Sequence, residues 1–457
     1  MRRVRTVGRR LRLALCLAAT GPLAGQTPTA TPGAGFPQGE TLTVHLLTAG
    51  PGDAVWEKFG HNAILIADTV AGWSMAYNYG VFDFAAPDFM LNFVRGRLLY
   101  QLAAWPGRAT LAHYAEAGRD IWLQELNLSP AQRAELLAFL EWNYLPQNRF
   151  YLYDYYRDNC STRVRDAIDR VTGGAIRRAL GGEPSGATFR SDTRRLTAAA
   201  EAAYTGLQLT MGRPIDRPIS EYERTFVPMV LRDAVRDVRI ARPDGGLVPL
   251  VADEVFAFDA PRPPPPESPP DRTWAYLLGG LLIGGAFVLL GRRRHASAAA
   301  RRAFAVSAGV WLFVVGLLGT IIACLWAFTD HWPTYANENL LQVHPLAFVL
   351  AVVVPVAVLH GGAGGRAGAG EPSGGTGASG FRGRLRRIGL LGVWGAVGLS
   401  VLGFLLQALP AWDQVNGEII ALMLPAWLGL AWGVAGLRRR DDTDTLPFRS
   451  HNPLSSR

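Results

Sequence analysis

Cysteine is scarce in this chain, which contains only three in 457 residues. Cys16 lies in an apolar N-terminal segment and Cys324 lies in a long apolar stretch, so neither is placed to pair with Cys160. An exported thiol ordinarily becomes a disulfide, and one without a partner predicts a free thiol or an intermolecular bond. Cys160 is therefore a candidate nucleophile, and the plainer alternative is a small buried cysteine at a helix start.

Common cofactor motifs are also missing. The chain has no phosphate-binding glycine motif of the Walker or dinucleotide type and no His-Cys-Asp cluster with metal-ligand spacing, so we expect no cofactor and no metal. Charge is nearly absent from the centres of the apolar stretches, which argues against an ion or proton relay. The net charge of +9 comes largely from arginine clusters beside those stretches, a pattern of membrane topology that predicts no nucleic-acid partner.

The composition changes sharply along the chain and divides it into segments. An arginine-rich start with a short apolar run predicts a signal peptide at 1–25, with an uncleaved signal anchor as the alternative. The rest of the predicted organisation is a flexible lead-in at 26–40, a mixed α+β domain at 41–260, a stiff proline-rich linker at 261–272, an all-α membrane domain at 273–437 and a tail at 438–457.

The membrane domain is predicted to hold about five transmembrane helices. Arginines cluster after the first, third and fifth apolar stretches, and the loops at 329–343 and 410–417 contain none. By the positive-inside rule the mixed domain and these two loops lie outside, the Gly-rich segment 361–380 is a flexible cytoplasmic loop, and the C-terminus is cytoplasmic. We therefore expect a multi-pass membrane protein whose mixed domain lies outside the membrane. The five stretches are 274–290, 304–328, 346–359, 388–409 and 418–437, of which the third is the shortest.

Local patterns predict the structure around Cys160. Asp158-Asn159 is a helix N-cap signal, so we expect a helix over 160–171 that starts at the cysteine. Unpaired N–H groups and the helix dipole favour a thiolate at such a position. Other patterns predict strands at 42–48, at 61–68 and within 73–84, and a helix from Ser129-Pro130 to about residue 144.

A thiol nucleophile needs a base, and His61 at a strand start is the best of the eight histidines by position. Asn78 is predicted to orient the imidazole, with Asp83 as the alternative. Arg163, one turn after the cysteine, either faces an anionic headgroup or pairs with Asp158 or Asp166. The predicted catalytic residues are thus Cys160, His61 and Asn78, and the predicted substrate-binding residues are Asn159, Arg163, Tyr79 and Asp83.

Five phrases occur in order along the chain: Pro51-Gly52-Asp53, Phe59-Gly60-His61, Tyr77-Asn78-Tyr79-Gly80-Val81-Phe82-Asp83-Phe84, Phe93-Val94-Arg95-Gly96-Arg97 and Asp158-Asn159-Cys160-Ser161-Thr162-Arg163. Taken together they resemble the bacterial envelope proteins with an Lnb-type N-terminal periplasmic domain. The resemblance implies a location in the bacterial inner membrane with this domain in the periplasm. It also implies a circularly permuted papain-like (NlpC/P60-like) fold with histidine before cysteine, and lipoprotein N-acyltransfer as the activity. An acyl chain would leave a phospholipid ester, rest on Cys160 as a thioester and pass to a diacylated lipoprotein.

Three functions stay open at this point. The first is the thiol acyltransferase, the second is a cysteine hydrolase that cleaves wall peptides, and the third is a non-enzymatic envelope scaffold or sensor. The apolar stretches and an aromatic-rich segment favour a lipid substrate, although aromatic stripes are also common in protein cores. That segment contains Phe82, Phe84, Phe89 and Phe93.

Overall fold

The computed structural model describes residues 39–83, 85, 88–242, 245–360 and 376–435. The predicted signal peptide, nearly all of the lead-in and the C-terminal tail lie outside the described residues. Most of the predicted Gly-rich loop, 361–375, also lies outside them.

An antiparallel sheet organises the N-terminal part. Its seven strands have the order β11-β5-β1-β2-β3-β4-β6, and β9–β10 and β7–β8 form two small separate pairs. The strands are β1 Leu42–Ala49, β2 His61–Asp68, β3 Trp73–Val81, β4 Leu99–Pro106, β5 Ile121–Leu126, β6 Phe150–Leu152, β7 Pro184–Thr188, β8 Pro218–Ser220, β9 Arg239–Ala241, β10 Leu247–Pro249 and β11 Val251–Phe258.

Helices pack on this sheet, and the chain that follows the sheet domain is mainly helical. Nine belong to the sheet domain: α1 Phe89–Arg95, α2 Gly107–Glu116, α3 Pro130–Tyr144, α4 Cys160–Val171, α5 Ala175–Leu180, α6 Phe189–Thr197, α7 Glu201–Thr210, α8 Glu221–Arg224 and α9 Pro228–Ala234. Five follow it: α10 Thr273–Arg293, α11 Ala298–Phe328, α12 Ala347–His360, α13 Thr376–Leu406 and α14 Gly417–Ala435. The prediction of a sheet-containing domain followed by a helical region is confirmed.

The local signals in the sequence explain where these elements begin. Ser129 caps α3 by accepting a hydrogen bond from the Gln132 backbone, and the Gln132 side chain accepts one from Ser129 N–H in return. The alternating pattern of β1 buries Leu42, Val44 and Leu46 in the same core. Both helices that the sequence predicts, α3 and α4, have the expected bounds.

The core that positions α4 lies between the sheet and helices α3 and α4. Val164 and Ile168, one turn apart on α4, are both fully buried in it. They pack in one cluster with Ile64 of β2 and Leu140 of α3. Burial of such a side chain stabilises the fold by about 1.5–3 kcal/mol. This packing fixes the start of α4 against strands β2 and β3.

Four of the C-terminal helices are long and apolar enough to cross a membrane, namely α10, α11, α13 and α14. Helix α12 is shorter, with 14 residues. At about 1.5 Å per residue it extends about 21 Å, less than the ~30 Å of a bilayer core. The structure therefore supports four of the about five predicted spans on length and composition.

One predicted loop is partly wrong. Residues 376–380 were expected in the flexible Gly-rich segment 361–380, but they form the first turn of α13. Backbone hydrogen bonds extend this helix ahead of its apolar part. The prediction relied on the low helix propensity of glycine. That propensity is a weaker effect than the extension of a helix that has already formed.

Glycines allow α10 and α14 to touch directly. A Cβ added at Gly429 would lie 2.2 Å from the Cα of Gly284, which no real side chain tolerates. Small residues at helix crossings are the usual means of close approach within a membrane. The two helices are therefore locked in one packing arrangement.

Polar contacts join the sheet domain to the membrane helices. Glu418 at the start of α14 is buried and forms an ion pair with Arg194 of α6 at 2.6 Å. It also accepts hydrogen bonds from the Tyr204 hydroxyl and the Arg272 backbone N–H, at distances from 2.9 to 3.1 Å. The sheet domain is thus held against the outer ends of the helices by a buried carboxylate with several donors.

Candidate active site

Cys160 is the first residue of α4, as expected, and Asn159 is its N-cap. The Asn159 side-chain oxygen accepts from the N–H groups of Ser161 and Thr162 at 2.9 and 3.0 Å. Its amide donates to the carbonyls of Tyr155 and Phe226, both at 2.9 Å. All polar atoms of the Asn159 side chain are engaged, so in this structure it orients the helix start instead of facing a substrate.

The thiol of Cys160 lies in an enclosed, N–H-lined position. The residue is only 9% exposed. Backbone N–H groups of Asn62, Ser161 and Cys160 itself favour the thiolate, but burial outweighs them and raises the pKa of the Cys160 thiol. The N–H groups at the helix start act in the expected direction, but burial has the larger effect. The thiol needs a base that removes its proton during the reaction.

His61 opens β2, next to the N–H of Asn62 that points at the thiol. Its Nε2 lies 3.2 Å from Asn78 Oδ1. The Asn78 side-chain NH₂ donates to the Ala76 carbonyl at 3.0 Å, so the side-chain oxygen faces the imidazole. Because an amide oxygen only accepts, Nε2 carries the proton and Nδ1 keeps a free lone pair. Asn78, and not Asp83, is the group that contacts His61.

Arg119 is a member of this cluster that the sequence analysis missed. It is 95% buried, donates to the Gly50 carbonyl at 2.8 Å and has Glu57 at 3.6 Å. Its guanidinium lies over the Tyr114 ring, and its Nη2 has no hydrogen-bond partner among the described residues. No sequence motif surrounds it, so only the tertiary structure shows that its charge acts on the site.

The pKa of His61 is lowered to about 4, mainly by burial and further by the positive charge of Arg119. The hydrogen bond to Asn78 opposes this shift only in part. The imidazole is therefore neutral at physiological pH, which is the form that accepts a proton. Arg119 also favours the thiolate of Cys160. The charge of Arg119 thus adds to the effect of burial on the base and supports negative charge on sulfur.

Gly80 leaves space beside the thiol. Its φ of 85° is in the left-handed region. A Cβ added there would lie 3.4 Å from the Cys160 Cβ and 3.5 Å from the Tyr153 ring. Any side chain at this position would be strained and would crowd the sulfur, so the glycine preserves access to it.

Aromatic rings extend from the thiol toward the membrane helices. Tyr153, beside Gly80, stacks on Tyr100 at a centroid distance of 4.4 Å, and Tyr100 contacts Phe82 at 5.0 Å. The series continues through Phe89 and Phe93 at 6.0 and 6.3 Å and ends at His331, 6.3 Å from Phe93, in the loop after α11. We call these six residues the aromatic series: Tyr153, Tyr100, Phe82, Phe89, Phe93 and His331.

The structure does not bring the other predicted substrate-binding residues to the thiol. Tyr79 is 1% exposed and donates to Asn143 Oδ1 at 2.7 Å. Arg163 pairs with Asp158 at 2.5 Å, one of the alternatives that the sequence left open. Asp83 accepts a local hydrogen bond from the Ala85 N–H at 2.8 Å. Among the described contacts none of the three reaches Cys160, His61 or Asn78.

Family models recognise both parts of the chain. The Lnb N-terminal periplasmic domain matches residues 36–199, which include His61, Asn78, Arg119 and Cys160. The Lnb transmembrane domain matches residues 281–361. No curated protein and no solved structure matches the chain. The protein is therefore a multi-pass membrane protein with a periplasmic domain, and it belongs to the Lnb family.

Proposed function

We propose that this protein is a membrane-bound thiol acyltransferase. Cys160 takes an acyl chain from a phospholipid ester and passes it to the α-amine of the N-terminal cysteine of a diacylated lipoprotein. The observation that carries this proposal is the aromatic series, which runs from the thiol to a loop between membrane helices. An acyl chain on sulfur needs an apolar path of this kind, whereas a wall peptide does not.

The first half-reaction forms the thioester. His61 Nδ1 takes the proton of the Cys160 thiol as sulfur attacks the ester carbonyl carbon. The backbone N–H of Cys160 and the charge of Arg119 stabilise the developing oxyanion. The carbonyl re-forms as the lysophospholipid oxygen leaves with the proton from His61. The products are the acyl-Cys160 thioester and a lysophospholipid.

The second half-reaction consumes the thioester. The lipoprotein amine attacks the thioester carbonyl and gives its proton to His61. Collapse of the tetrahedral intermediate expels the Cys160 sulfur, which recovers the proton from the imidazolium. An amide has then formed, a thioester has broken and the free enzyme returns. In this cycle Asn78 is a positioning residue, because it holds the imidazole tautomer that leaves Nδ1 free.

We also propose the finer points of fold and location that this function requires. A histidine on a strand precedes a cysteine that opens a helix packed against that strand, as in a circularly permuted papain-like arrangement. The short helix α12 completes a set of five spans in the inner membrane. The sheet domain faces the periplasm and the C-terminus faces the cytoplasm, as the arginine distribution favours.

Intact-protein mass spectrometry of the detergent-purified chain tests the acyl transfer. We expect a fatty-acyl mass increment after incubation with phospholipid, its removal by neutral hydroxylamine, and its location on Cys160 by peptide mapping. Cys324→Ala is the matched control and should keep the adduct, because Cys324 lies in α11, away from the site. An alkylatable Cys160 that never gains an acyl group would instead support the peptide hydrolase. An unreactive Cys160 would contradict both enzymes.

The rate of Cys160 acylation should be insensitive to pH across the neutral range. Neutral His61 is the reactive base, and its pKa of about 4 means that this form is lost only as the pH falls through about 4. Replacing Arg119 with methionine removes one cause of the lowered pKa, so the acid limb should move toward the ordinary histidine value of about 6.5. Single-turnover rates between pH 4 and 8 measure this, and an acid midpoint near 6.5 in the unaltered protein would contradict it.

A further inference from the structure

A second groove lies where the sheet domain meets the loops outside the membrane helices, and the catalytic cycle leaves it without a role. Its volume is about 430 Å³. Three arginines from the sheet domain line one side, and residues from two loops between membrane helices line the other. The lining includes Arg157, Arg213, Arg217, Ala336, Ala411 and Asp413. We call it the arginine groove.

The arginine groove carries excess positive charge. Its one lining carboxylate, Asp413, is 3.9 Å from Arg213, which also donates to the Ala411 carbonyl. Arg217 pairs with Glu223 at 2.5 Å. The Arg157 guanidinium lies 3.7 Å from the centroid of the Trp332 ring, and no ion pair is found for it among the described residues. An anion is the ligand that such a surface favours.

The position of the groove indicates which anion. Ala336 belongs to the loop between α11 and α12, and Asp413 to the loop between α13 and α14. Both loops are free of arginine and lie on the outer side in the predicted topology. The arginines of the sheet domain therefore face the level of the lipid headgroups, where the common anion is a phosphodiester.

The groove is also close to the thiol along the chain. Arg157 precedes Cys160 by three residues, so their Cα atoms are at most about 11 Å apart. In a glycerophospholipid only the glycerol carbons separate the phosphate from the ester carbonyls. The Arg157 guanidinium lies over Trp332, which directly follows His331 at the end of the aromatic series. A phosphate beside Arg157 would therefore lie next to the end of that series.

We propose that the arginine groove binds the phosphate of the donor phospholipid and so distinguishes donor from acceptor. This inference rests on the proposed acyl transfer. The diacylglyceryl anchor of a lipoprotein has no phosphate and gains nothing from the arginines. Arg157 and Arg213 are specificity residues for the first half-reaction, while the second half-reaction is independent of them.

Native mass spectrometry of the full-length Cys160→Ala protein tests binding without turnover. Phosphatidylglycerol should be retained, and Arg157→Gln or Arg213→Gln should each weaken its apparent affinity about tenfold. Arg157→Lys should lose less, because it keeps the charge. Arg239→Gln is the matched control, since Arg239 lies on the separate β9–β10 pair. Diacylglycerol should bind weakly and equally to all variants.

Three outcomes would overturn the proposal. Equal retention of phosphatidylglycerol by the glutamine variants and the control would show that the lipid does not bind in the arginine groove. Equal retention of diacylglycerol and phosphatidylglycerol would show that the phosphate does not contribute to binding. If millimolar inorganic phosphate displaces the lipid, and this displacement depends on the arginines, the arginine groove binds a free anion and not a lipid headgroup.

A parallel measurement separates this proposal from the acyl transfer itself. In proteins with Cys160 intact, Arg157→Gln should slow acylation by phosphatidylglycerol about tenfold and leave acylation by an uncharged p-nitrophenyl ester unchanged. Equal slowing with both donors would contradict a phosphate-specific role. If no donor acylates the unaltered protein, the transferase proposal fails, and the binding data still decide what the groove holds.

Discussion

Cys160→Ala is expected to abolish acyl transfer, with a loss of about 10⁴-fold or more, because no other group in the cluster can form the thioester. The protein should remain folded. The side chain is 9% exposed and small, so the change removes little packing and costs about 1 kcal/mol. The measurement is acyl transfer to a synthetic diacylated lipopeptide, beside the thermal unfolding midpoint of the same preparation.

Cys160→Ser is the informative companion to that variant. Serine keeps the size and the hydrogen-bonding position, but its hydroxyl is far less acidic than a thiol and its ester is less reactive toward an amine. We expect it to be nearly as inactive as the alanine variant. Substantial transfer by either protein, with the fold intact, would contradict the Cys160 thioester and would show that Cys160 is structural.

His61→Ala has the second-largest expected effect, a loss of about 10² to 10⁴-fold in the rate of Cys160 acylation. The reason is that burial raises the pKa of the thiol, so at neutral pH almost no thiolate exists unless the imidazole takes its proton. Single-turnover acylation followed by mass spectrometry gives this rate directly.

The pH dependence of the acylation rate shows whether His61→Ala lacks only the base or has a disrupted site. In His61→Ala the rate should rise with pH up to the raised thiol pKa, because hydroxide then supplies the thiolate, whereas the unaltered protein should show no such rise across the neutral range. His113→Ala is the matched control, since His113 lies on α2 and no hydrogen bond from it to Cys160, His61 or Asn78 is found in the part of the chain that the structure describes. A flat, slow profile for His61→Ala would contradict the assignment of a base.

The agreement between sequence and structure is best where the signal is local. Asn159 ahead of Cys160 predicts the start of α4, and the Ser129-Pro130 pair predicts the start of α3, because a cap depends on a few adjacent residues. The alternation in the first half of β1 likewise needs only one buried face. Such features are encoded within one or two turns of chain.

The protonation state of the thiol depends on more than its position at a helix start. A helix N-terminus favours a thiolate, and the sequence also predicted His61 as the base that takes the proton. Burial by the surrounding core raises the pKa of the thiol, and the same enclosure lowers the pKa of His61 to about 4. Desolvation depends on atoms from many distant segments, so no local pattern contains it.

By itself the sequence determined strands β1 to β3, helices α3 and α4 with Cys160 at the start of α4, and the division into a sheet-containing domain and apolar helices. These follow from periodicity, caps and composition, which act over short stretches of chain. Only the tertiary structure decided that Asn78 contacts His61, that Arg119 supplies the nearby charge, and that aromatic rings join the thiol to the loop at His331. The contact of His61 with Asn78 joins residues 17 positions apart and that of Phe93 with His331 joins residues 238 positions apart, and sheet pairing and core packing bring them together.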